Sequence, residues 1–161
     1  MEKNPTLDII ELRKLEDEFY LQALECILKT VETSNSPDYP PSVIEYQLHT
    51  HYTMDWITKQ MQSRYFIVAL IDGKVAGTGS LDGDEIKAVF FDPDHQRRGI
   101  GRAIMEDLER YGKSIGLKEI KMKSSITGFE FYKALHYRQV KELVEYFQGD
   151  AVITYLMEKR L

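Results

Sequence analysis

Two glycines and a cluster of arginines between residues 96 and 103 form the segment best suited to bind a ligand. It reads Gln96-Arg97-Arg98-Gly99-Ile100-Gly101-Arg102-Ala103 and lies between a strand pattern and a helix pattern. Glycine lets the backbone turn tightly and approach a ligand closely. The amides and the dipole of a helix N-terminus attract an anion, and arginine matches the geometry of phosphate. The pattern therefore predicts a phosphate-binding loop.

Two other kinds of phosphate-binding loop fit this segment less well. A dinucleotide-binding loop needs a third small residue, where this chain has Ile104, and a carboxylate after the next strand, where it has Lys123-Ser124-Ser125. A nucleoside-triphosphate loop needs Gly-Lys-Ser/Thr, which the sequence lacks. Dinucleotide binding stays as a distant alternative.

Composition indicates one globular domain over residues 1–161. Apolar residues make up 43% of the chain and charged residues 29%. The net charge of -5 argues against binding to nucleic acid or to an anionic membrane. The lone Cys26 cannot form an internal disulfide, and residues 1–5 lack the apolar core of a signal peptide. We therefore expect a cytoplasmic protein.

Hydrophobic spacing predicts an α/β fold in which helices flank a mixed, mostly antiparallel sheet of about seven strands. The Asp72-Gly73 pair predicts a tight hairpin turn, and Gly116 predicts the end of the helix that follows the glycine loop. Predicted strands cover residues 7–12, 65–71, 75–81, 86–91, 119–123, 137–146 and 151–157. Further helices are predicted at residues 16–31, 42–61 and 127–135.

Three passages resemble the GNAT superfamily of N-acetyltransferases, which use acetyl coenzyme A. Ile86-Lys87-Ala88-Val89-Phe90-Phe91-Asp92-Pro93 resembles the fourth strand of that family. The run from Gln96 to Gly101 resembles its Gln/Arg-x-x-Gly-x-Gly/Ala pyrophosphate loop. Phe131-Tyr132-Lys133-Ala134-Leu135-His136-Tyr137 resembles its late Phe-Tyr-x-x-Leu-Gly-Phe passage. Specific similarity covers residues 86–140, and the element order extends it over the chain.

The resemblance implies acetyl coenzyme A as cosubstrate, with no metal. The backbone of Phe90 and Phe91 would hydrogen-bond the pantetheine arm in the manner of a neighbouring strand, and the loop amides would bind the pyrophosphate. The chain departs from the family pattern at Ser125, where asparagine is common, and at His136, where glycine is common. We therefore expect the turn after the last helix to be less tightly left-handed. The implied coenzyme-binding residues are Phe90, Phe91, Gln96, Arg97, Arg98, Gly99, Ile100, Gly101, Arg102, Ser125, Phe131 and Tyr132.

The family pattern places Tyr132 as the general acid beside the sulfur of the coenzyme. A tyrosine has a pKa of about 10 and a thiol about 8.5, so full proton transfer is uphill by roughly 2 kcal/mol. We therefore expect Tyr132 to hydrogen-bond the departing thiolate. A base or desolvation must also help a protonated amine to react, and Glu85 is the first candidate, with Asp84 and Glu142 as weaker ones.

The sequence favours transfer of acetyl to a primary amine of a small molecule or peptide by direct attack. No Ser or Cys forms a nucleophile pattern with a His. The alternative is a non-catalytic coenzyme A sensor or structural module, and a homodimer is one option for the assembly. Tyr39, in a proline-rich loop, is a candidate on the acceptor side. Tyr46, Tyr52 and Trp56 fit either a pocket or the core, and His49-x-His51 does not have the geometry of a zinc site.

Overall fold

The computed structural model describes residues 9–95, 98–147 and 149–161, which form one seven-stranded sheet with helices on both faces. The strands are β1 Ile10–Lys14, β2 Tyr65–Ile71, β3 Lys74–Asp82, β4 Glu85–Phe91, β5 Glu119–Ser124, β6 Arg138–Phe147 and β7 Asp150–Arg160. The α-helices are α1 Tyr20–Thr30, α2 Pro41–Tyr46, α3 Met54–Ser63, α4 Ile100–Ser114 and α5 Phe129–Ala134. No helix among these residues is long and apolar enough to cross a bilayer.

The sheet has the order β1-β2-β3-β4-β5-β7-β6. Every neighbouring pair is antiparallel except β4 and β5, which run parallel. A parallel pair requires a crossover connection, and α4 supplies it. The predicted fold class is therefore confirmed, and the helix behind the glycine loop is the one that crosses between the parallel strands.

Two apolar layers enclose the first half of the sheet. Phe66, Val68 and Leu70 pack in the cluster that contains α1, whereas Ile67 and Ala69 pack in the cluster that contains α4. Because side chains alternate across a strand, β2 is buried on both faces, which explains its unbroken apolar sequence. This packing holds α4 and the glycine loop in a fixed position against the sheet.

The single helix predicted over residues 42–61 is wrong, because two helices and a wide turn occupy this region. Helix α2 ends at Tyr46, a wide turn spans Gln47–His51, and Tyr52 and Thr53 are extended. The hydroxyl of Thr53 then accepts a hydrogen bond from the amide of Trp56 at 3.1 Å and caps α3. A threonine, whose hydroxyl can cap a helix, before an amphipathic segment is a start signal that apolar spacing alone does not show.

The turn after α5 is left-handed although a histidine occupies it. We expected a less left-handed turn at His136, and this expectation is wrong, since its φ is +70°. The amides of His136 and Tyr137 donate to the carbonyls of Lys133 and Tyr132 at 3.0 and 3.1 Å, which forms the helix cap. These bonds keep an L-residue in a conformation that normally favours glycine.

We expect His136→Gly to raise the free energy of unfolding by about 0.5–1 kcal/mol. The left-handed conformation costs a non-glycine residue about 1–2 kcal/mol, and the greater freedom of glycine in the unfolded chain offsets part of the gain. The side chain of His136 is exposed, so little packing is lost. Urea denaturation measures the change. Lys133→Gly, at an exposed position inside α5, should lose stability, and a similar loss for His136→Gly would contradict the prediction.

Candidate active site

The parallel strands β4 and β5 separate soon after they begin. Only Glu85 with Lys121 and Ile86 with Met122 are paired. Beyond Ile86 the backbone of β4 has β3 on one side and an open cleft on the other. Unpaired amides and carbonyls along a strand edge can bind an extended chain that carries amide groups.

A bulge in β4 changes the direction of the backbone at this cleft. The pairing with β3 shifts between Thr78 and Ser80, and Ala88 has a φ of +55°. The hydroxyls of Thr78 and Ser80 donate to the carbonyls of Ala88 and Lys87 at 2.8 and 2.6 Å. These hydrogen bonds stabilise a conformation that costs a non-glycine residue energy, which is typical of functional sites.

Beyond the bulge, the backbone amide and carbonyl groups of Phe90 and Phe91 point to opposite sides of the strand. The amide of Asp92 donates to the carbonyl of Ala76 on β3 at 2.8 Å. Because backbone groups alternate in direction along an antiparallel strand, the polar groups of Phe90 point to β3 and those of Phe91 point into the cleft. The hydroxyl of Thr30, which donates to the Cys26 carbonyl at 2.8 Å, also lies 3.3 Å from the Phe91 carbonyl on the cleft side. Phe91 therefore has its amide available to a ligand.

The N-terminus of α4 lies at one end of the same cleft. Gly99 is the N-cap with a φ of +84°, and the first helical hydrogen bond runs from the amide of Ala103 to the carbonyl of Gly99 at 3.0 Å. The amides of Ile100, Gly101 and Arg102 therefore have no partner within the helix. Their alignment with the helix dipole suits an anion.

The two glycines of the loop are required for different structural reasons. A Cβ at Gly99 would meet no atom within 4 Å, so glycine is needed there for its backbone conformation. A Cβ at Gly101 would lie 2.7 Å from the ring of Phe131 and 3.0 Å from that of Phe91. Gly101 is thus needed for close packing of α4 against the aromatic wall of the cleft. Gly77 on β3 has a similar role, since a Cβ there would lie 2.8 Å from Ile100.

Tyr132 approaches the cleft from α5 and is buried. Its ring packs against those of Phe131 and Tyr137, with centroids 5.1 and 6.1 Å away. A Cβ at Gly128 would lie 2.9 Å from this ring, so the glycine allows the tyrosine to lie close to the preceding backbone. Burial raises the pKa of Tyr132 well above its usual value. The hydroxyl therefore stays protonated at neutral pH.

These features line one cavity of about 1020 Å³. The structure brings together most of the residues that the sequence indicated. Tyr39 and Tyr52 also line it. The predicted coenzyme-binding residues that line the cavity are Phe90, Phe91, Gly99, Ile100, Gly101, Arg102, Ser125, Phe131 and Tyr132.

The remaining predicted residues have other positions. Gln96 and Arg97 lie outside the described residues, and Arg98 is exposed beside the loop and outside the cavity lining. Glu85 begins β4 but does not line the cavity, and its carboxylate lies 3.9 Å from the ammonium of Lys87. Trp56 packs against the α1 cluster instead of lining the cavity.

Ser125 lines the cavity, but its hydroxyl already makes local contacts. It accepts a hydrogen bond from the amide of Gly128 at 3.0 Å. The hydroxyl of Tyr39 accepts from the amide of Ile126 at 3.1 Å. Burial raises the pKa of Tyr39, while its hydrogen bonds to Ser125 and Ile126 partly oppose that shift. These contacts tie the segment around Tyr39 to the turn between β5 and α5.

Sequence reasoning missed three polar residues at the end of the cavity away from α4. Gln47 comes from the turn after α2, Glu145 from β6 and Thr154 from β7. Period-two alternation along β6 would have placed Glu145 on one face with Phe147, but it could not show that this face borders the cleft. The carboxylate of Glu145 accepts a hydrogen bond from Lys123 at 3.0 Å.

Known structures share this fold. The chain resembles the GCN5-related N-acetyltransferase from Rhodopseudomonas palustris at 19% identity, with a TM-score of 0.89 and coverage of 99% of this chain and 100% of the other. It resembles PaiA N-acetyltransferase from Thermoplasma acidophilum, solved with coenzyme A, at 20% identity, with a TM-score of 0.76 and coverage of 95% and 99%. It also resembles yncA from Salmonella typhimurium, solved with acetyl-CoA, at 15% identity, with a TM-score of 0.66 and coverage of 94% of each chain.

Comparisons of the amino-acid sequence add to what the fold shows. No curated protein matches the chain. Residues 28–137 match the acetyltransferase (GNAT) family, and this range contains the bulged strand β4, the glycine loop, α4 and Tyr132. The chain belongs to the acetyltransferase (GNAT) family.

Proposed function

We propose that the protein transfers the acetyl group of acetyl coenzyme A to a primary amine of a small molecule or peptide. The observation that carries the proposal is the joining, in one cavity, of an open strand edge, a helix N-terminus whose first amides have no partner within the helix, and a buried tyrosine. Two of the similar structures contain coenzyme A or acetyl-CoA, which supports this choice of donor.

The residues of the cavity fit the chemical groups of this donor. The amides of Ile100, Gly101 and Arg102 suit its pyrophosphate, and the side chain of Arg102 adds positive charge. The unpaired amide of Phe91 suits an amide of the pantetheine arm. The thioester end would then lie beyond the bulge of β4, toward the end lined by Tyr52 and Glu145.

Acetyl coenzyme A supplies an activated acyl group. A neutral amine nitrogen attacks the carbonyl carbon, the carbon–sulfur bond breaks, and the amine gives up one proton to solvent or a base. Tyr132 would donate a hydrogen bond to the sulfur as negative charge develops there. Since burial raises its pKa further above that of a thiol, this hydrogen bond, without full proton transfer, is its expected contribution.

An assay of thiol release across a panel of amines tests the proposal. We expect steady release of coenzyme A that depends on both acetyl-CoA and an amine, with mass spectrometry showing an N-acetylated product. Coenzyme affinity measured by calorimetry should fall as salt rises, because Arg102 and the α4 N-terminus bind an anion. Tight coenzyme binding with no amine-dependent release would favour a sensor. Absence of coenzyme binding would contradict the proposal altogether.

A further inference from the structure

We propose that Glu145, Gln47 and Thr154 bind the acceptor, and that the acceptor is a small primary amine with an apolar body and no carboxylate. This inference rests on the proposed function, because it identifies the substrate of the same cavity. All three side chains line the cavity, and its end away from α4 is formed by β6 and β7, because α4 packs against β1–β4 in the other half of the sheet. None of them belongs to the segments that resemble a coenzyme site.

Two of these residues carry buried polar atoms that lack a partner. Oε1 of Gln47 and Oγ1 of Thr154 are buried, and neither makes a hydrogen bond within the described part of the chain. A buried polar atom without a partner costs free energy, and both side chains belong to the cavity lining, so a ligand donor that reaches these oxygens would recover that cost. An amine supplies N–H donors, which is the complement that oxygen acceptors require.

Glu145 adds a negative charge to these neutral acceptors. Its side chain is about one third exposed, at 34%, and its Oε1 is held by Lys123. A carboxylate strengthens its hydrogen bonds to an amine, particularly a protonated one. Lys123 is the cation at this end of the described lining, and it already contacts Glu145. A carboxylate on an acceptor would therefore be repelled by Glu145, and Lys123 would not be free to pair with it.

The rest of this end is apolar and aromatic. Tyr39, Tyr52 and Phe147 line it together with Val43 and Val152. Burial raises the pKa of Tyr52 to about 12, so its ring carries a neutral hydroxyl at neutral pH. Aromatic faces accommodate both an apolar body and a nearby ammonium group. The walls therefore favour an amine with an aromatic or aliphatic body over a highly polar one.

Two hydrogen bonds join segments that carry residues of this cavity. In the first, the Thr127 hydroxyl donates to Asp38 at 2.7 Å, next to the Tyr39–Ile126 hydrogen bond. In the second, the Ser42 hydroxyl donates to Asp150, next to the rings of Tyr46 and Phe147, which lie 6.2 Å apart. These contacts hold together the segments that carry Tyr39 and Phe147, and such a cross-linked wall favours a compact amine over a lysine on a folded protein.

Three acceptors that differ in single features test this inference in the thiol-release assay. Phenethylamine has the proposed features, phenylalanine adds a carboxylate, and a capped Gly-Lys-Gly peptide replaces the compact body with a polypeptide. At saturating acetyl-CoA we expect phenethylamine to be used with kcat/KM at least tenfold above either of the others. Equal or better use of phenylalanine or the peptide would overturn the inference, as would release by none of the three from a protein that binds coenzyme A.

Glu145→Gln and Thr154→Val separate binding from general stability. Each keeps the shape of the side chain, and each should raise KM for phenethylamine, by about tenfold for Glu145→Gln because a charged acceptor is lost. Affinity for coenzyme A should not change. Glu158→Gln is the matched control, since Glu158 is on the adjacent strand β7 but outside the cavity lining. Unchanged KM in Glu145→Gln would overturn the inference, and coenzyme binding would still report on the proposed function.

Discussion

We expect Tyr132→Phe to lower kcat by about a hundredfold, which is the low end of the effect of losing a positioned acid–base group. The ring stays in its packing place against Phe131 and Tyr137, and only the hydroxyl is lost. The effect should appear in kcat more than in KM, because a hydrogen bond to sulfur strengthens as the thiolate develops. Steady-state thiol release with a preferred amine measures it.

Tyr137→Phe is the matched control for Tyr132→Phe. Tyr137 is a neighbouring buried tyrosine outside the cavity lining, and its hydroxyl donates to Glu109 at 2.8 Å. Its loss should lower the melting temperature and leave kcat nearly unchanged. Tyr132→Phe should instead lower kcat and leave the melting temperature nearly unchanged. An unchanged kcat in Tyr132→Phe would show that the residue serves packing alone.

The pH dependence of Tyr132 follows from the direction of its shift. A raised pKa keeps the hydroxyl protonated throughout the range in which most amines lose their proton. The rate in the parent protein should therefore rise with pH as the free amine forms, without a fall caused by Tyr132 below about pH 10. The stability linked to this neutral tyrosine is present below its unfolded pKa and is lost as pH rises toward the folded one.

Gly101→Val should reduce coenzyme affinity by a factor of about 5 to 150, which corresponds to the 1–3 kcal/mol that overpacking typically costs. Its Cβ would meet the rings of Phe131 and Phe91, at 2.7 and 3.0 Å, and the rings would move into the cavity or push α4 away. Calorimetry with coenzyme A measures the loss. Gly112→Ala, in the same helix but outside the cavity lining, should leave affinity unchanged.

The cause of the Gly101 effect can be separated by a double-mutant cycle. If the clash with Phe131 is responsible, Gly101→Ala should weaken coenzyme binding in the parent protein and have little further effect in a Phe131→Ala background. If approach of the backbone to pyrophosphate is responsible, the loss should be similar in both backgrounds. Equal affinity of Gly101→Val and the parent would remove the loop from the site.

The periodicity of the sequence determined much of the fold. Alternating and helical patterns predicted the seven strands and the helix behind the glycine loop, because burial on one face repeats every 2 or 3.6 residues. The Asp72-Gly73 pair has φ values of +51° and +75°, as a tight hairpin turn requires. The spacing of Gly99, Gly101 and Tyr132 within short segments indicated the family. A short segment is enough because these residues meet local requirements of backbone conformation and packing.

Only the tertiary structure decided which residues share the cavity. Whether Glu85 or Glu145 lines it depends on where β4 and β5 separate, and that point is set by the bulge at Ala88 and by strand pairs distant in sequence. The clash that explains Gly101 involves Phe131, thirty positions along the chain. Gln47 reaches the cavity from the wide turn that follows α2, which was not predicted from the sequence. Such contacts join segments whose individual patterns are equally compatible with other arrangements, so local periodicity could not predict them.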